Sequence, residues 1–299
     1  APSVFVLTCL VTPTKSSPIL NGKNVFPPLL ILACNRLDEL RASLFSISRA
    51  RLSHKVDVYL SLDCPIPIEN NISINLYPFR SFSVLNSYQR FSPKNPWTDE
   101  RVARHWLSAI NTMLEHHESV IYLEEDHVVM PDFFEAALYH IERRCPGCFE
   151  VNLGCHPPCQ PGIGNIAVVY FKNSWDNFVG QLNIWCSWRG DWDHNLRRFI
   201  YQGFSSFPYI YQAFPSHARH LHDCVSARTG RKHFQGKHCG FQKRLDLYES
   251  FVEEWAKSPQ ISSKISHAGS MEKFPLNHFD APKEMKKMCK ESIRGNKLY

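Results

Sequence analysis

The segment Ile121–Asp126 carries the chemistry that this sequence shows most clearly. It reads as a buried strand that ends in three acidic residues, Glu124, Glu125 and Asp126. Neighbouring carboxylates repel one another unless a cation lies among them, and hard divalent ions such as Mn²⁺ and Mg²⁺ prefer oxygen ligands. Because open α/β sheets bind ligands at the carboxyl ends of their strands, the segment predicts a metal that binds a phosphorylated substrate. The alternative is a solvated acidic loop before a helix that starts near Pro131.

The hydrophobic periodicity around this segment predicts an α/β protein. Continuously apolar stretches at 26–34 and 56–62 read as strands, and an amphipathic helix over 37–51 lies between them, which makes a parallel strand–helix–strand unit. A Pro- and Asn-rich loop is expected from there to residue 96, and loops are expected beyond residue 204. The remaining predicted elements are strands over 119–123, 149–153 and 167–171 and helices over 99–117, 133–144 and 174–182.

The composition fits one large globular domain. Of the 299 residues, 43% are hydrophobic and 13% aromatic, which is enough to bury a sizeable core. We expect an N-terminal stem linker over residues 1–26 and a single folded domain over 27–299. The net charge of +6 is mild and the basic residues are scattered, so nucleic acid is not indicated as a partner. The apolar stretch at 4–11 is far shorter than the roughly 20 residues that span a bilayer.

Eleven cysteines are a high count for a cytosolic enzyme. Disulfides in an oxidising lumen explain this number best, and the odd count leaves at least one thiol unpaired. A zinc site is the alternative, although only one cysteine pair has the required CxxC spacing. The four cysteines of that alternative site are Cys145, Cys148, Cys155 and Cys159. The sequon Asn71-Ile-Ser73 is also compatible with secretion.

Short motifs follow one another in a defined order from residue 27 to about residue 292. They are Ala33-Cys-Asn-Arg36, Leu123-Glu-Glu-Asp-His127 with Pro131-Asp-Phe133, Cys145-Pro-Gly-Cys148, Asn152-Leu-Gly154, Trp192-Asp193, Arg219-His-Leu-His222 with Asp223-Cys224, and Cys289-Lys. In this order and spacing the chain resembles the Golgi β-1,2-N-acetylglucosaminyltransferases that build the antennae of N-glycans. The N-acetylglucosaminyltransferase II subfamily is the most similar. Ala33-Cys-Asn-Arg36, Leu62-Asp-Cys64 and Ala103-Arg-His105 are instead similar to N-acetylglucosaminyltransferase I and its relative that acts on O-linked mannose.

The resemblance implies a GT-A glycosyltransferase fold, which is a Rossmann-like, mostly parallel sheet flanked by helices and stabilised by disulfides. It implies an inverting enzyme with Mn²⁺ as cofactor that moves GlcNAc from UDP-GlcNAc in β-1,2 linkage to a mannose of an N-glycan, with the α-1,6 arm favoured. The α-1,3 arm and O-linked mannose stay open as acceptors. A catalytically inactive protein that binds glycans or nucleotide sugars is the alternative of another class. The implied location is the Golgi lumen, with any N-terminal membrane anchor outside this chain.

The resemblance also implies roles for single residues. Asp126 and His222 would bind the metal, and Asp193 would be the base that takes the proton of the acceptor hydroxyl, with Asp191 as its alternative. For either aspartate, the alternative to catalysis is an N-cap of the following helix. The residues implied to bind the donor are Arg36, Asp63, His105, Glu124, Glu125 and Asn165.

The implied donor contacts differ in kind. Arg36 and His105 would contact the nucleotide, and Asp63 would accept the uracil imide proton. Glu124 and Glu125 would hold the ribose, the sugar or metal-bound waters, or would only solvate the loop.

His222 has a second interpretation. Because His217 and His220 lie nearby in the sequence, it could be a surface histidine of a His-rich stretch rather than a metal ligand.

Four disulfides are implied by the resemblance. Cys34–Cys64 is similar to a pair of N-acetylglucosaminyltransferase I, and its reach is plausible because the two cysteines end neighbouring predicted strands. The other three are similar to pairs of N-acetylglucosaminyltransferase II, namely Cys145–Cys148, Cys186–Cys289 and Cys224–Cys239. Sequence proximity favours Cys155–Cys159 in addition, which leaves Cys9 free.

Overall fold

The computed structural model describes residues 26–34, 36–64, 77–86, 99–154, 166–185, 192–221, 240–257 and 262–267. For residues 86, 99–101, 192–194 and 262–267 the description is limited to the backbone.

The described residues form two sheets with helices packed against them. The strands are β1 (Leu29–Ala33), β2 (Asp57–Leu62), β3 (Ser81–Asn86), β4 (Ser119–Glu124), β5 (His127–Val129), β6 (Cys148–Asn152), β7 (Val168–Phe171), β8 (Tyr209–Phe214), β9 (Ala218–His220) and β10 (Ser262–His267). The helices are α1 (Leu37–Arg49), α2 (Asp99–His116), α3 (Phe133–Arg143), α4 (Lys172–Val179), α5 (Leu182–Trp185), α6 (Trp192–Tyr201) and α7 (Phe241–Ala256).

The large sheet has eight strands in the order β10-β8-β6-β7-β4-β1-β2-β3. The neighbours from β4 to β3 are parallel, β6 and β8 are parallel, and β7 is antiparallel to both β4 and β6. Because β7 reverses direction between them, β4 and β6 run the same way. The carboxyl ends of β1, β2, β4 and β6 therefore meet at one edge, which is where open α/β sheets bind ligands.

Hydrophobic side chains pack on both faces of this sheet. Every residue of β1 is buried, which explains its continuously apolar sequence, since a central parallel strand is covered on both sides. Side chains of α1 and α3, such as Leu40 and Phe133, cover one face. Side chains of α2, α4, α5 and α6, such as Trp106 and Trp175, cover the other. The predicted α/β architecture, a Rossmann-like and mostly parallel sheet flanked by helices, is confirmed.

A small second sheet lies next to the acidic end of β4. It consists of β5 and β9, which pair antiparallel with His127 opposite His220. The backbone N–H of Leu221 donates to the carbonyl oxygen of Asp126 at 2.8 Å, and the N–H of Met130 donates to that of His217 at 2.9 Å. This pairing brings the segment after β8 to the turn that follows β4.

Two stretches that were expected to be loops contain regular structure. The stretch after β2 includes β3, an edge strand that is only partly buried, so its apolar pattern is weak. The stretch beyond residue 204 includes β8, β9, α7 and β10. Strand β8 is a short run that precedes a stretch rich in His, Gly and Lys, and α7 buries only Arg244 and Tyr248. Both expectations of loops are therefore wrong.

Two disulfides lie within the described residues. Cys34 and Cys64 join the carboxyl ends of β1 and β2, with Cα atoms 4.6 Å apart. Cys145 and Cys148 are joined before β6, with Cα atoms 5.3 Å apart, and this bond uses two of the four thiolates that the alternative zinc site requires. The other cysteines named above lie outside the described residues, namely Cys9, Cys155, Cys159, Cys186, Cys224, Cys239 and Cys289.

None of the described helices is both long enough and apolar enough to cross a membrane.

Candidate metal and donor site

Asp126 is the centre of a buried charge cluster. It lies in the turn between β4 and β5 and is 2% exposed. Its Oδ2 atom contacts Nη1 of Arg36 and lies 3.1 Å from Nε2 of His220. Its Oδ1 atom has no hydrogen-bond partner in the described part of the chain, since Nε2 of His127 is 3.9 Å away. A buried charged oxygen without a partner is energetically costly. A cation or a hydrogen-bond donor at Oδ1 would therefore be favourable.

Arg36 ties the end of β1 to the acidic turn. Its Nε atom donates to Oε1 of Glu125 at 2.7 Å, while its Nη1 atom donates to Asp126. The other oxygen of Glu125 accepts the backbone N–H of Cys34 at 2.9 Å. The side chain of Arg36 is 40% exposed, whereas both carboxylates are almost fully buried. The side chain of Arg36 is therefore only partly covered at this edge of the sheet.

The charges in the cluster determine its protonation. Burial would raise the pKa of Asp126, but His220 and Arg36 outweigh it and hold that pKa well below the usual value. Burial lowers the pKa of Arg36, but the negative charges of Asp126 and Glu125 outweigh this effect. The pKa of Arg36 is therefore above its usual value, and the guanidinium stays charged. For Glu125, burial outweighs Arg36 and the pKa is raised. The lowered pKa of Asp126 therefore keeps this carboxylate ionised.

Glu124 contacts two residues on either side of it in the sequence, Tyr122 of β4 and His127 of β5. The hydroxyl of Tyr122 donates to its Oε1 atom at 2.9 Å, and its backbone N–H donates to Nδ1 of His127 at 3.1 Å. Burial, together with the negative charge of Asp126, raises the pKa of Glu124 to about 7. Without a bound cation, this carboxyl group is therefore partly protonated at neutral pH.

Of the two described imidazoles at Asp126, that of His220 lies nearer, at 3.1 Å. One ligand atom each of Asp126, His127 and His220 lie within 4.8 Å of one another. His220 reaches the aspartate because β9 pairs with β5. The ligand named from the sequence, His222, lies outside the described residues and stays a prediction.

The residues at this edge fit a hard divalent cation. Carboxylate oxygens and imidazole nitrogens are ligands that Mn²⁺ accepts, and Asp126 offers an oxygen with no hydrogen-bond partner among the described residues. A second group of possible ligands contains Cys34, Asp63 and Cys64. Its two sulfur atoms are joined to each other and offer no thiolate, the form in which cysteine binds metals. Of these two groups, the one at Asp126 therefore fits the cation.

Asp63 and His105 lie at the carboxyl end of β2. Asp63 is 4% exposed, and its backbone N–H donates to the carbonyl oxygen of Ala33 at 3.0 Å. His105, on α2, is equally buried, and its Nε2 atom lies 2.8 Å from Oγ of Ser61. The structure thus brings both residues to the edge that carries the acidic turn, while their contact with a nucleotide stays a prediction.

The predicted base lies on a helix that is fixed to the sheet. Asp193 belongs to the first turn of α6, but its side chain, like the whole of Asp191 and Asn165, lies outside the description. One turn further along α6, Nη2 of Arg197 lies 3.6 Å from Oε1 of Glu150 on β6, and the two side chains are 4% and 0% exposed. A buried ion pair therefore anchors the helix that carries Asp193.

Several residues of the site were not found from the sequence. His127 ends the motif Leu123-Glu-Glu-Asp-His127, but its contact with Glu124 depends on the shape of the turn. In the sequence, His220 is distinguished only as a neighbour of His222. Only the pairing of β5 with β9 shows that it meets Asp126. For Glu150, an isolated charge within an apolar stretch is the available signal, whereas Arg197 stands beside Arg198 and gives none.

No protein-family model matches the chain, and no curated protein matches it. Solved structures do match. The mannosyltransferase PcManGT from Pyrobaculum calidifontis, in complex with GDP-Man and Mn²⁺, is 10% identical with a TM-score of 0.38, over 53% of this chain and 52% of its own. The glycosyltransferase GlyE of Streptococcus pneumoniae is 12% identical with a TM-score of 0.41, over 90% of this chain and 60% of GlyE. Residues 1–349 of S. aureus TarS, in complex with UDP, are 10% identical with a TM-score of 0.37, over 50% of this chain and 48% of that one.

At these identities and scores the similarity assigns neither a family nor a substrate to this chain, and the chain spans only about half to 60% of these three proteins. The fold itself agrees with the prediction of a GT-A type, because the sheet is mostly parallel, is flanked by helices and carries the acidic turn at its carboxyl edge.

Proposed function

We propose that this protein is an inverting, metal-dependent β-1,2-N-acetylglucosaminyltransferase. It would move GlcNAc from UDP-GlcNAc to a mannose of an N-glycan, with the α-1,6 arm favoured and the α-1,3 arm or O-linked mannose as alternatives. The observation that carries the proposal is the contact of Asp126 with both Arg36 and His220 at the carboxyl edge of the sheet. The sugar, the linkage and the acceptor rest on the family resemblance of the motifs.

Asp126 and His220 would hold the Mn²⁺ ion, with His222 as the further ligand named from the sequence. When bound, the ion neutralises the charge that develops on the departing diphosphate. Asp126 suits this role because its lowered pKa keeps it ionised. His220 suits it because its Nε2 atom already lies at the aspartate.

Arg36 would bind the diphosphate of the donor. A guanidinium matches the geometry of phosphate oxygens, and the side chain of Arg36 is 40% exposed beside two buried carboxylates. A cation at Asp126 would weaken the attraction that holds Nη1 of Arg36 there. The bond from Nε to Glu125 does not involve Asp126, so that bond would keep Arg36 at the site.

Asp193 would take the proton of the acceptor hydroxyl while that oxygen attacks the anomeric carbon and the bond from the sugar to the phosphate breaks. Attack from the side opposite to the leaving group gives a β-linked product from an α-linked donor. Asp191 is the alternative base. The buried pair of Arg197 and Glu150 would fix the helix on which Asp193 lies. We also propose the Golgi lumen as the location, because disulfides persist in oxidising compartments.

A transfer assay tests this proposal. The full chain is incubated with UDP-GlcNAc and three mannosyl acceptors, which carry the α-1,6-arm mannose, the α-1,3-arm mannose or O-linked mannose, with and without Mn²⁺. We expect Mn²⁺-dependent formation of a β-1,2-linked product on the α-1,6-arm acceptor, and none with Asp126→Asn. Binding of UDP-GlcNAc without transfer to any acceptor would favour the inactive binding protein instead.

A further inference from the structure

The cluster at Asp126 contains two imidazoles, and they differ in their surroundings. The rings of His127 and His220 lie opposite each other in the small sheet, with centroids 5.0 Å apart. Both Nε2 atoms face Asp126, at 3.9 Å for His127 and 3.1 Å for His220. By distance alone, either histidine could share a cation with the aspartate.

A hydrogen bond at Nδ1 distinguishes His127 from His220. Its Nδ1 atom accepts the backbone N–H of Glu124 at 3.1 Å, so Nδ1 carries no proton. A neutral imidazole has one N–H and one lone pair, and the proton of His127 must therefore be on Nε2. A protonated nitrogen has no lone pair for a metal. Histidines that bind metals show the opposite pattern, because they donate from the nitrogen that does not bind the ion.

We infer that His127 is a positioning residue that holds the turn around Asp126 and does not bind the cation. This inference rests on the proposed function, since the cation itself belongs to that proposal. Through Nδ1 the ring fixes the backbone at Glu124. Its Nε2 atom lies 3.9 Å from Oδ1 of Asp126. The ring is 2% exposed, so its orientation is set by packing.

Two variants of His127 test the role of each nitrogen. In His127→Asn, the amide oxygen can replace Nδ1 as acceptor for the N–H of Glu124, while nothing replaces Nε2. In His127→Leu, both nitrogens are lost. The binding of Mn²⁺ is measured by electron paramagnetic resonance in the presence of UDP. We expect His127→Asn to keep the affinity within about threefold, and His127→Leu to lower it by about tenfold, as is usual for residues that orient a metal ligand.

His220→Asn is the matched control, because it makes the same change at the other ring. We expect this variant to lose Mn²⁺ binding. If His127→Asn loses it as completely as His220→Asn, then His127 is a ligand and the inference is wrong.

A spectroscopic measurement tests the tautomer directly. In the ¹⁵N-labelled wild-type protein, NMR should show the proton of His127 on Nε2, both without metal and with saturating Mg²⁺ and UDP. Loss of that proton when Mg²⁺ binds would overturn the inference. If the wild-type protein bound no Mn²⁺ with UDP, the proposed function would fail, whereas a proton on Nδ1 in the metal-free protein would contradict the role of His127 on its own.

Discussion

The Nε2 atom of His220 lies 3.1 Å from Oδ2 of Asp126, although the two residues are far apart in the sequence. The antiparallel pairing of β5 with β9 brings them together, and neither side chain is more than 10% exposed. Arg36 reaches the same oxygen from the end of β1. The candidate cation site at this edge of the sheet is therefore assembled from three separate segments of the chain.

The proposed base gives a prediction about turnover. Asp193→Asn should keep the size of the side chain but remove the proton acceptor. We expect kcat for transfer to fall by about 10²–10⁴, the usual contribution of a positioned general base. The affinity for UDP with Mn²⁺ should survive, because an interaction made mainly in the transition state affects kcat rather than ground-state binding.

Asp191→Asn is the control for that change and should be mild. If the two variants behave the other way round, the base is Asp191. If both keep nearly full transfer activity, neither aspartate is the base.

The buried pair of Arg197 and Glu150 gives a prediction about stability. Arg197→Met leaves the carboxylate of Glu150 buried without its ion-pair partner. Breaking one side of a buried ion pair costs about 3–5 kcal/mol, and we expect a loss of that size in the free energy of unfolding measured with urea. The double variant Arg197→Met/Glu150→Gln should recover part of the loss, because it removes both charges.

The control for this prediction is an exposed ion pair of similar length. Lys172 and Asp176 are 3.7 Å apart, with side chains that are 35% and 61% exposed. Asp176→Asn should change the free energy of unfolding by no more than about 1 kcal/mol, because solvent screens exposed pairs. If Arg197→Met also lost no more than about 1 kcal/mol, the pair of Arg197 and Glu150 would not anchor α6 to the sheet.

The sequence predicted those parts of the fold that depend on local pattern. Strand β1 is apolar throughout because both of its faces are covered, and the acidic turn is visible because Glu124, Glu125 and Asp126 are consecutive. Contacts between residues that only the pairing of distant strands brings together could not be predicted from local pattern. His220 meets Asp126 only through the contact of β5 with β9, and no spacing in the sequence encodes that register.

Strand β8 illustrates a second limit. Gln212 is 1% exposed because its Nε2 atom donates to the carbonyl oxygens of Asn152 and Gly154. The burial of such an amide is not visible in a sequence, and the His-, Gly- and Lys-rich residues that follow β8 favour loops beyond residue 204.

His140 gives a prediction about pH. Its side chain is fully buried on α3, with Nδ1 3.3 Å from the hydroxyl of Tyr211. Burial lowers the pKa of His140 to about 3, and the charges of His217 and Arg143 act in the same direction. The charge of Asp132 opposes them but is outweighed. In the unfolded chain the pKa is about 6.5, so the unfolded state binds more protons between these two values. The stability due to neutral His140 is therefore complete above about pH 6.5 and is lost as the pH falls toward 3.

The free energy of unfolding at pH 7.5 and pH 5.0 checks this effect. Between these values the wild-type protein should lose about 2 kcal/mol more than His140→Gln, which cannot titrate. An identical loss in both proteins would show that His140 does not contribute to the pH dependence.

The two described disulfides should differ in their contribution to stability. The bond between Cys34 and Cys64 joins residues 30 apart in the sequence, and the bond between Cys145 and Cys148 joins residues 3 apart. From loop entropy we expect a loss of about 3.5 kcal/mol when the first pair is replaced by alanine and about 2 kcal/mol for the second. Equal losses would contradict this order.

Peptide mapping without reduction identifies the bonds themselves. We expect to find both described pairs, together with the predicted pairs Cys186–Cys289 and Cys224–Cys239. Free thiols at these positions would contradict the pairing and, with it, the proposed lumenal location.

The most direct test of the proposed cation site is the affinity for UDP measured by calorimetry with and without Mn²⁺, in the wild-type protein, Asp126→Asn and Asp57→Asn. Asp57 is the matched control, because it also pairs with an arginine, Arg80, but begins β2 at the opposite edge of the sheet. We predict that Mn²⁺ strengthens UDP binding in the wild type and in Asp57→Asn and has no effect in Asp126→Asn. An undiminished effect of Mn²⁺ in Asp126→Asn would contradict the assignment of the metal and donor site.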